Sequence, residues 1–140
     1  MGKCQICDKH KEVTPVYQGE HSVVSPVPFN KGVLGYLYIE PVRHVENWYE
    51  LTKEEFNEIS KLISKISKFL KEELDADRVY TVSISESVRH LHIHLIPRER
   101  KSNLRGINLI EHATQGEVYP VQTTHNKYVD LLNRIYEYLH

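Results

Sequence analysis

The segment TKEEFNEISKLISKISKFLKEEL, from Thr52 to Leu74, constrains the fold more than any other stretch of this chain. Phe56, Ile59, Leu62, Ile63, Ile66, Phe69 and Leu70 recur at helical intervals, with Lys, Glu and Ser between them. That spacing predicts one long helix with a single apolar stripe, which must lie on a core. Its start is marked by Thr52 and Glu55 at the spacing of a capping box, with Leu51 and Phe56 at the positions of a hydrophobic staple. Upstream, TPVYQGEHSVVSPV reads as two short strands around the Gly19-Glu20 turn, PFNKG as a loop, and LGYLYIEP as a third strand ending at Pro41. Downstream, Asp75 to Asp77 is a tight link, RVYTVSIS a strand, ESV a turn or bulge, and HLHIHLI another strand. A last helix runs from about His125 to Leu139, with Tyr128, Leu131, Leu132, Ile135 and Leu139 on one face. Strands in runs with few crossover helices predict an α+β fold: a mainly antiparallel sheet of about five strands, the long helix packed on one face, and a C-terminal helix. The 140 residues carry no repeat or dividing linker, so a single domain over 1–140 is expected.

With 18 basic and 19 acidic residues, the chain has no general electrostatic pull toward nucleic acid or acidic membranes, and neither is expected as a partner. An anionic ligand would need a local site. The N-terminus, MGKCQICDKH, has no apolar run and no stretch is long enough to span a bilayer, so the chain reads as soluble and cytoplasmic. Cys4 and Cys7 form a CxxC pair, which in a reducing compartment points to metal or to redox chemistry. The redox reading wants a strand-to-helix turn in a βαβ setting, which this pair lacks; metal is favoured.

In HLHIHLI, the imidazoles of His90, His92 and His94 alternate with Leu91, Ile93 and Leu95. On a strand, the histidines would form a row on one face, about 6.6–6.8 Å apart, with the aliphatic side chains facing the core under the helix stripe. Three readings are open. The row is a polar surface rich in histidine, or a pair from it binds zinc, or one imidazole is free as a nucleophile or proton carrier near neutral pH. Three consecutive positions on one face are too spread for one ion to collect easily, which leaves one or two for another task.

Cys4-x-x-Cys7, GYLYIEPVRH before the long helix and SVRHLHIHLIPR after it resemble the histidine-triad superfamily of nucleotide hydrolases and transferases. The likeness covers the chain up to Arg98. In zinc-bearing members the metal is held by the CxxC pair, a histidine at the end of the proline-containing strand and the first histidine of the triad. The resemblance therefore implies a structural Zn2+ on Cys4, Cys7, His44 and His90, with His10 as rival for the place of His44. It further implies that His92 is the nucleophile, forming a nucleotidyl-histidine at the α-phosphate, and that a carbonyl fixes its tautomer. His94 and the Ser87 hydroxyl would contact the phosphate, and no catalytic metal is required.

The expected substrate is a purine nucleotide, with adenine the favoured base: a nucleoside phosphoramidate, a dinucleoside polyphosphate or an adenylylated compound. Members are typically homodimers. Three positions depart from the pattern. Ser85-Glu86 stands where Gly-Gln is common, which puts the Glu86 carboxylate beside the nucleotide. Pro28 replaces the residue that usually holds the ribose, with Asn30 a nearby substitute. Gly35-Tyr36 replaces the frequent Gly-His. Arg98, Arg100, Lys101 and Arg105 are either a solvated basic loop or contacts for distal phosphates. Two other functions remain open: a non-catalytic zinc-containing nucleotide-binding module, and a mononuclear zinc enzyme with triad histidines as ligands.

Overall fold

The computed structural model describes residues 3–115 and 125–140. Its strands are β1 (Tyr17–Gln18), β2 (Ser22–Pro26), β3 (Leu37–Pro41), β4 (Ala76–Ser83) and β5 (Ile93–Glu99); its helices are α1 (Gln5–Glu12), α2 (Lys53–Leu74), α3 (Gly106–Thr114) and α4 (His125–Leu139). The strands form one antiparallel sheet in the order β1-β2-β3-β5-β4. The α+β architecture expected from the sequence is the observed one.

Local chemistry accounts for the elements. The Gly19 N–H closes the β1–β2 turn on the Ser22 carbonyl at 2.8 Å. The Glu58 carboxylate of α2 then accepts from the His21 N–H (2.9 Å) and from the Ser22 hydroxyl, tying the hairpin to the helix. A Cβ on Gly19 would stand 2.8 Å from that carboxylate, so a larger residue there would push the Glu58 side chain off the hairpin. Both halves of the Thr52/Glu55 capping box are made, and α2 stops at Asp75, whose backbone is left-handed at φ 51°.

The staple is different from expectation. Leu51 packs on the core, but Phe56 is 51% exposed and stands beside Trp48. Glu55 is buried in its place, because Arg43 donates to both its carboxylate oxygens, at 3.2 and 2.8 Å, while the cap takes one of them again. A position that serves the helix cap and an ion pair at once overrides the apolar stripe at the first turn.

Helix α2 carries the chain from β3 to the far edge at β4, and β5 returns to fill the gap between them. Val24, Leu37, Ile39, Leu91, Ile93 and Leu95 of the sheet side meet Ile59, Leu62, Ile66, Phe69 and Leu70 of α2 and Leu131, Ile135 and Leu139 of α4. The alternate residues face a second layer, where Val27, Tyr36 and Ile96 pack against Leu109 and Ala113 of α3. Helix α3 therefore covers part of the face opposite α2.

Strand β5 begins at Ile93, three residues later than the alternation predicts. The register pairs Ile39 with Ile93, so Leu91 would oppose Pro41, which has no N–H to give. The Leu91 N–H bonds instead to the carbonyl of Val45 at 2.7 Å, in the loop after β3. No helix among the described residues is long and apolar enough to cross a membrane.

Candidate metal centre and histidine site

The displaced start of β5 separates the three histidines. His90 turns away from the sheet toward α1 and is fully buried. Its Nδ1 lies 3.5 Å from the Sγ of both Cys4 and Cys7, and Cys7 Sγ lies 3.5 Å from Nδ1 of His44. These four donor atoms are all within 4.8 Å of one another. In a tetrahedron with metal–sulfur bonds of ~2.3 Å and metal–nitrogen bonds of ~2.0 Å, the sulfur-to-nitrogen edge is about 3.5 Å. The cluster fits such an ion closely.

The outer contacts fit as well. His90 Nε2 is 2.9 Å from the carbonyl oxygen of Pro41, which can only accept, so Nε2 carries the proton and Nδ1 presents its lone pair to the cluster. Cys4 caps α1 by accepting from the Cys7 N–H at 3.3 Å, which brings both sulfurs to one end of the helix. Burial, reinforced by the Cys4 sulfur, pushes the Cys7 thiol up to about 11, so a cation entering this cluster must displace protons.

His10 is not part of the cluster. Its Nε2 lies 2.9 Å from Oε1 of Glu40, a fully buried carboxylate that also receives Lys9 Nζ at 2.6 Å and the Ser25 hydroxyl at 2.7 Å. These hydrogen bonds and the Lys9 charge hold the Glu40 carboxyl below its ordinary range even though burial alone would raise it. Helix α1 is thus fixed to the sheet at two places, the sulfurs and Glu40. The sequence reading missed the second, although YIEP shows a charged residue inside an otherwise apolar strand.

His92 and His94 stay on the sheet face opposite α2, their ring centroids 5.0 Å apart. His92 Nδ1 lies 2.8 Å from the His90 carbonyl oxygen. That nitrogen must donate, so Nε2 keeps its lone pair. The carbonyl expected to fix this tautomer is present. Tyr38 of β3 stands edge-on to both rings, with centroids 5.6 Å from His92 and 5.1 Å from His94, and Lys9 Nζ lies 5.1 Å from the Tyr38 ring on α1's side. His94 is almost fully buried, and its Nδ1 lies 2.6 Å from the hydroxyl oxygen of Tyr36.

The remaining predicted residues lie on loops. Ser87 and Glu86 are exposed, between the end of β4 and His90. Asn30 is exposed in the short 3-10 turn at Phe29–Lys31. The pairing of Pro26 with Leu37 and of Leu37 with Leu95 puts that turn at the opposite end of β5 from the Ser87 loop. Ser85 is held at φ 53°, the left-handed region that suits glycine, and its buried hydroxyl oxygen has no hydrogen-bond partner among the described residues. The basic residues after Pro97 divide: Arg98 is withdrawn into the sheet, whereas Arg100 is exposed in the turn that follows β5, as a solvated loop would have it. Arg98 lies in β5, largely buried, and pairs with Asp77; Arg100 reaches Asp75 at 3.4 Å and Asp77 at 3.2 Å.

A family model for the HIT domain matches residues 12–101, and these contain the whole histidine row. The chain belongs to the HIT domain family. It is 28% identical over 105 residues to the protein hit of Bacillus subtilis (strain 168), an alignment that covers 71% of this chain and 72% of that relative. Among solved structures, the fold is similar to that of a hypothetical histidine triad nucleotide-binding protein from Sulfolobus tokodaii, at TM-score 0.68 and 22% identity, covering 97% of this chain and 91% of the other. It is also similar to a Zn-bound histidine triad family protein from Mycobacterium smegmatis, at TM-score 0.68 and 17% identity, covering 98% and 95%.

Membership of the HIT family supports a function of the nucleotide hydrolase or transferase type. In this HIT chain, Cys4, Cys7, His44 and His90 form a group able to bind a metal ion. His92 and His94 lie outside that group, which leaves both rings available for other chemistry.

Proposed function

We propose that this HIT protein is a nucleotide hydrolase or transferase that cleaves at the α-phosphate through a nucleotidyl-histidine on His92. The observation that carries the reading is the hydrogen bond from His92 Nδ1 to the His90 carbonyl, which leaves Nε2 unprotonated beside a second imidazole. In the first step the Nε2 lone pair attacks the α-phosphorus, a P–N bond forms, and the bond to the leaving group breaks with its electron pair going to that group. Water then attacks the same phosphorus and gives up a proton, which balances the proton the departed leaving group takes up from solvent; the P–N bond breaks with its electron pair returning to Nε2, and the mononucleotide leaves with His92 restored. His94 and the Ser87 hydroxyl contact the non-bridging oxygens, where charge accumulates and donors are most effective. Asn30 and Glu86 flank the nucleotide.

The ion at Cys4, Cys7, His44 and His90 is Zn2+ in this reading. Two thiolates and two imidazoles fill a tetrahedron, so it is structural and contributes folding energy rather than a reactive water. The substrate is a purine nucleotide, adenine by family likeness: a phosphoramidate, a dinucleoside polyphosphate or an adenylylated compound. The working unit is a homodimer of a single histidine-triad domain spanning 1–140, acting in the cytoplasm.

The test is a panel of adenosine and guanosine phosphoramidates and dinucleoside polyphosphates, incubated with wild type and with His92→Ala. Wild type releases mononucleotide and the variant falls to background while keeping its full metal content. No release above the variant across the panel would leave a nucleotide-binding module in place of an enzyme. Loss of the metal from His92→Ala would instead make His92 a ligand and overturn the nucleophile.

A further inference from the structure

The hydroxyl of Tyr36, the residue before β3, and Nδ1 of His94 in β5 lie 2.6 Å apart and make a buried pair that no part of the metal centre requires. We propose that Tyr36 is a positioning residue that donates its phenolic proton to His94 Nδ1, so that His94 presents Nε2–H to the substrate phosphate. The role rests on the nucleotide-cleaving function proposed above, but the geometry behind it does not.

The direction of the bond follows from what each group can do. Tyr36 is 2% exposed and a buried O–H must donate. The Tyr38 hydroxyl is a second hydrogen-bond partner of Tyr36 and competes for its proton, but the imidazole nitrogen at 2.6 Å is a far stronger base than a phenol oxygen and takes it. Burial, with Tyr38 adding to it, raises the Tyr36 phenol well above its ordinary value, so it stays protonated. Burial, with His92 adding to it, lowers His94 to about 4, so at neutral pH the ring has one proton for two nitrogens. If Nδ1 accepts from Tyr36, that proton is on Nε2.

The result is two neighbouring imidazoles in opposite tautomers. His92 is Nδ1–H with a lone pair on Nε2, set by a carbonyl; His94 is Nε2–H, set by a phenol. One ring is arranged as a nucleophile and the other as a neutral donor. A carbonyl could not have set the second state, since it would draw the proton to Nδ1. Tyr36 suits the task because its buried hydroxyl keeps its proton and can serve Nδ1 only as a donor.

The test combines a spectroscopic readout with kinetics. In protein labelled with 15N-histidine, the long-range proton–nitrogen spectrum of wild type at pH 7 shows His94 with Nε2 protonated and Nδ1 at the shift of a hydrogen-bonded lone pair. Tyr36→Phe removes only the oxygen, and His94 then moves toward the other tautomer or a mixture. In the variant kcat falls about 10-fold to 100-fold while KM changes less than 3-fold, a part of the ~100-fold to 10,000-fold that a placed proton donor contributes. A protonated Nδ1 in wild type overturns the proposal, as does a His94 spectrum or a kcat unchanged in Tyr36→Phe. A variant that only melts earlier, with tautomer and kcat intact, also overturns it, because Tyr36 is then structural. Should wild type cleave nothing in the substrate panel, the proposed function fails, and the spectrum still decides the tautomer.

Discussion

At the scale of single residues, HLHIHLI holds one alternation and three different chemical states. The pattern correctly assigned Leu91, Ile93 and Leu95 to the core, because period two follows from strand geometry alone. It did not reveal that His90 leaves the sheet. That turn depends on Pro41 standing opposite, which is a fact of register and becomes visible only once β3 and β5 are paired. Nor could it reveal Tyr36 as the partner of His94, 58 residues away in the chain. His94 gives a measurable pH dependence. Its ordinary value is 6.5 and its folded value about 4, so between these the unfolded chain binds a proton that the folded one refuses. Stability contributed by the neutral ring is intact above about pH 6.5 and is lost as pH falls toward 4, on the order of 3 kcal/mol in all. His92 adds to this, whereas the Glu40 charge opposes it. His94→Gln has nothing to titrate there. Urea unfolding of both proteins at pH 7 and pH 4.5 should show wild type losing about 2 kcal/mol more than the variant. Parallel losses would mean that His94 is not held neutral by the fold.

At the scale of elements, legibility followed length. Helix α2, 22 residues with a capping box, was readable to its ends, and α4 likewise, because repeated spacing accumulates over several turns. Helices α1 and α3, of 8 and 9 residues, were not read. An isolated helix that short is marginal, so its signal lies in the contacts that stabilise it and not in its own sequence. For α1 those contacts are the sulfurs and the Glu40 cluster. Glu40→Gln tests the second. The amide keeps the volume and can keep the Ser25 hydroxyl, but it loses the charge facing Lys9 and His10. Lys9 remains partly exposed and can reach water, so the cost is below that of a wholly buried orphan: about 1–3 kcal/mol. Thermal unfolding of metal-loaded protein should show the loss. Faster amide exchange concentrated in residues 5–12 would assign it to α1. A variant as stable as wild type, with α1 equally protected, would make the cluster incidental.

At the scale of the whole molecule, the two apolar layers on either side of the sheet are built without α1. Ile6 is its one buried hydrophobic residue and belongs to neither layer. The sheet, α2, α3 and α4 therefore have their own cores, and a metal held by Cys4, Cys7, His44 and His90 would act as a clip rather than a keystone. The clip nonetheless bears on the histidine site, since α1 carries Lys9 to the Tyr38 ring, and Tyr38 lies edge-on against His92 and His94. Removing the metal should thus act unevenly. With a chelator strong enough to strip thiolate-bound zinc, amide exchange in α1 and in residues 42–46 should speed up by at least ~10-fold, equivalent to about 1.4 kcal/mol of local opening. The central amides of α2, β3 and β5 should change much less, and zinc added back should restore the original pattern. The Glu40 contacts would limit the loosening, so chelation of Glu40→Gln should free α1 more than either change alone. If chelation instead raised exchange equally in α2 and the sheet, the metal would be holding the entire fold. The two-layer core would then be insufficient by itself, contrary to the burial of its residues on both faces of the sheet.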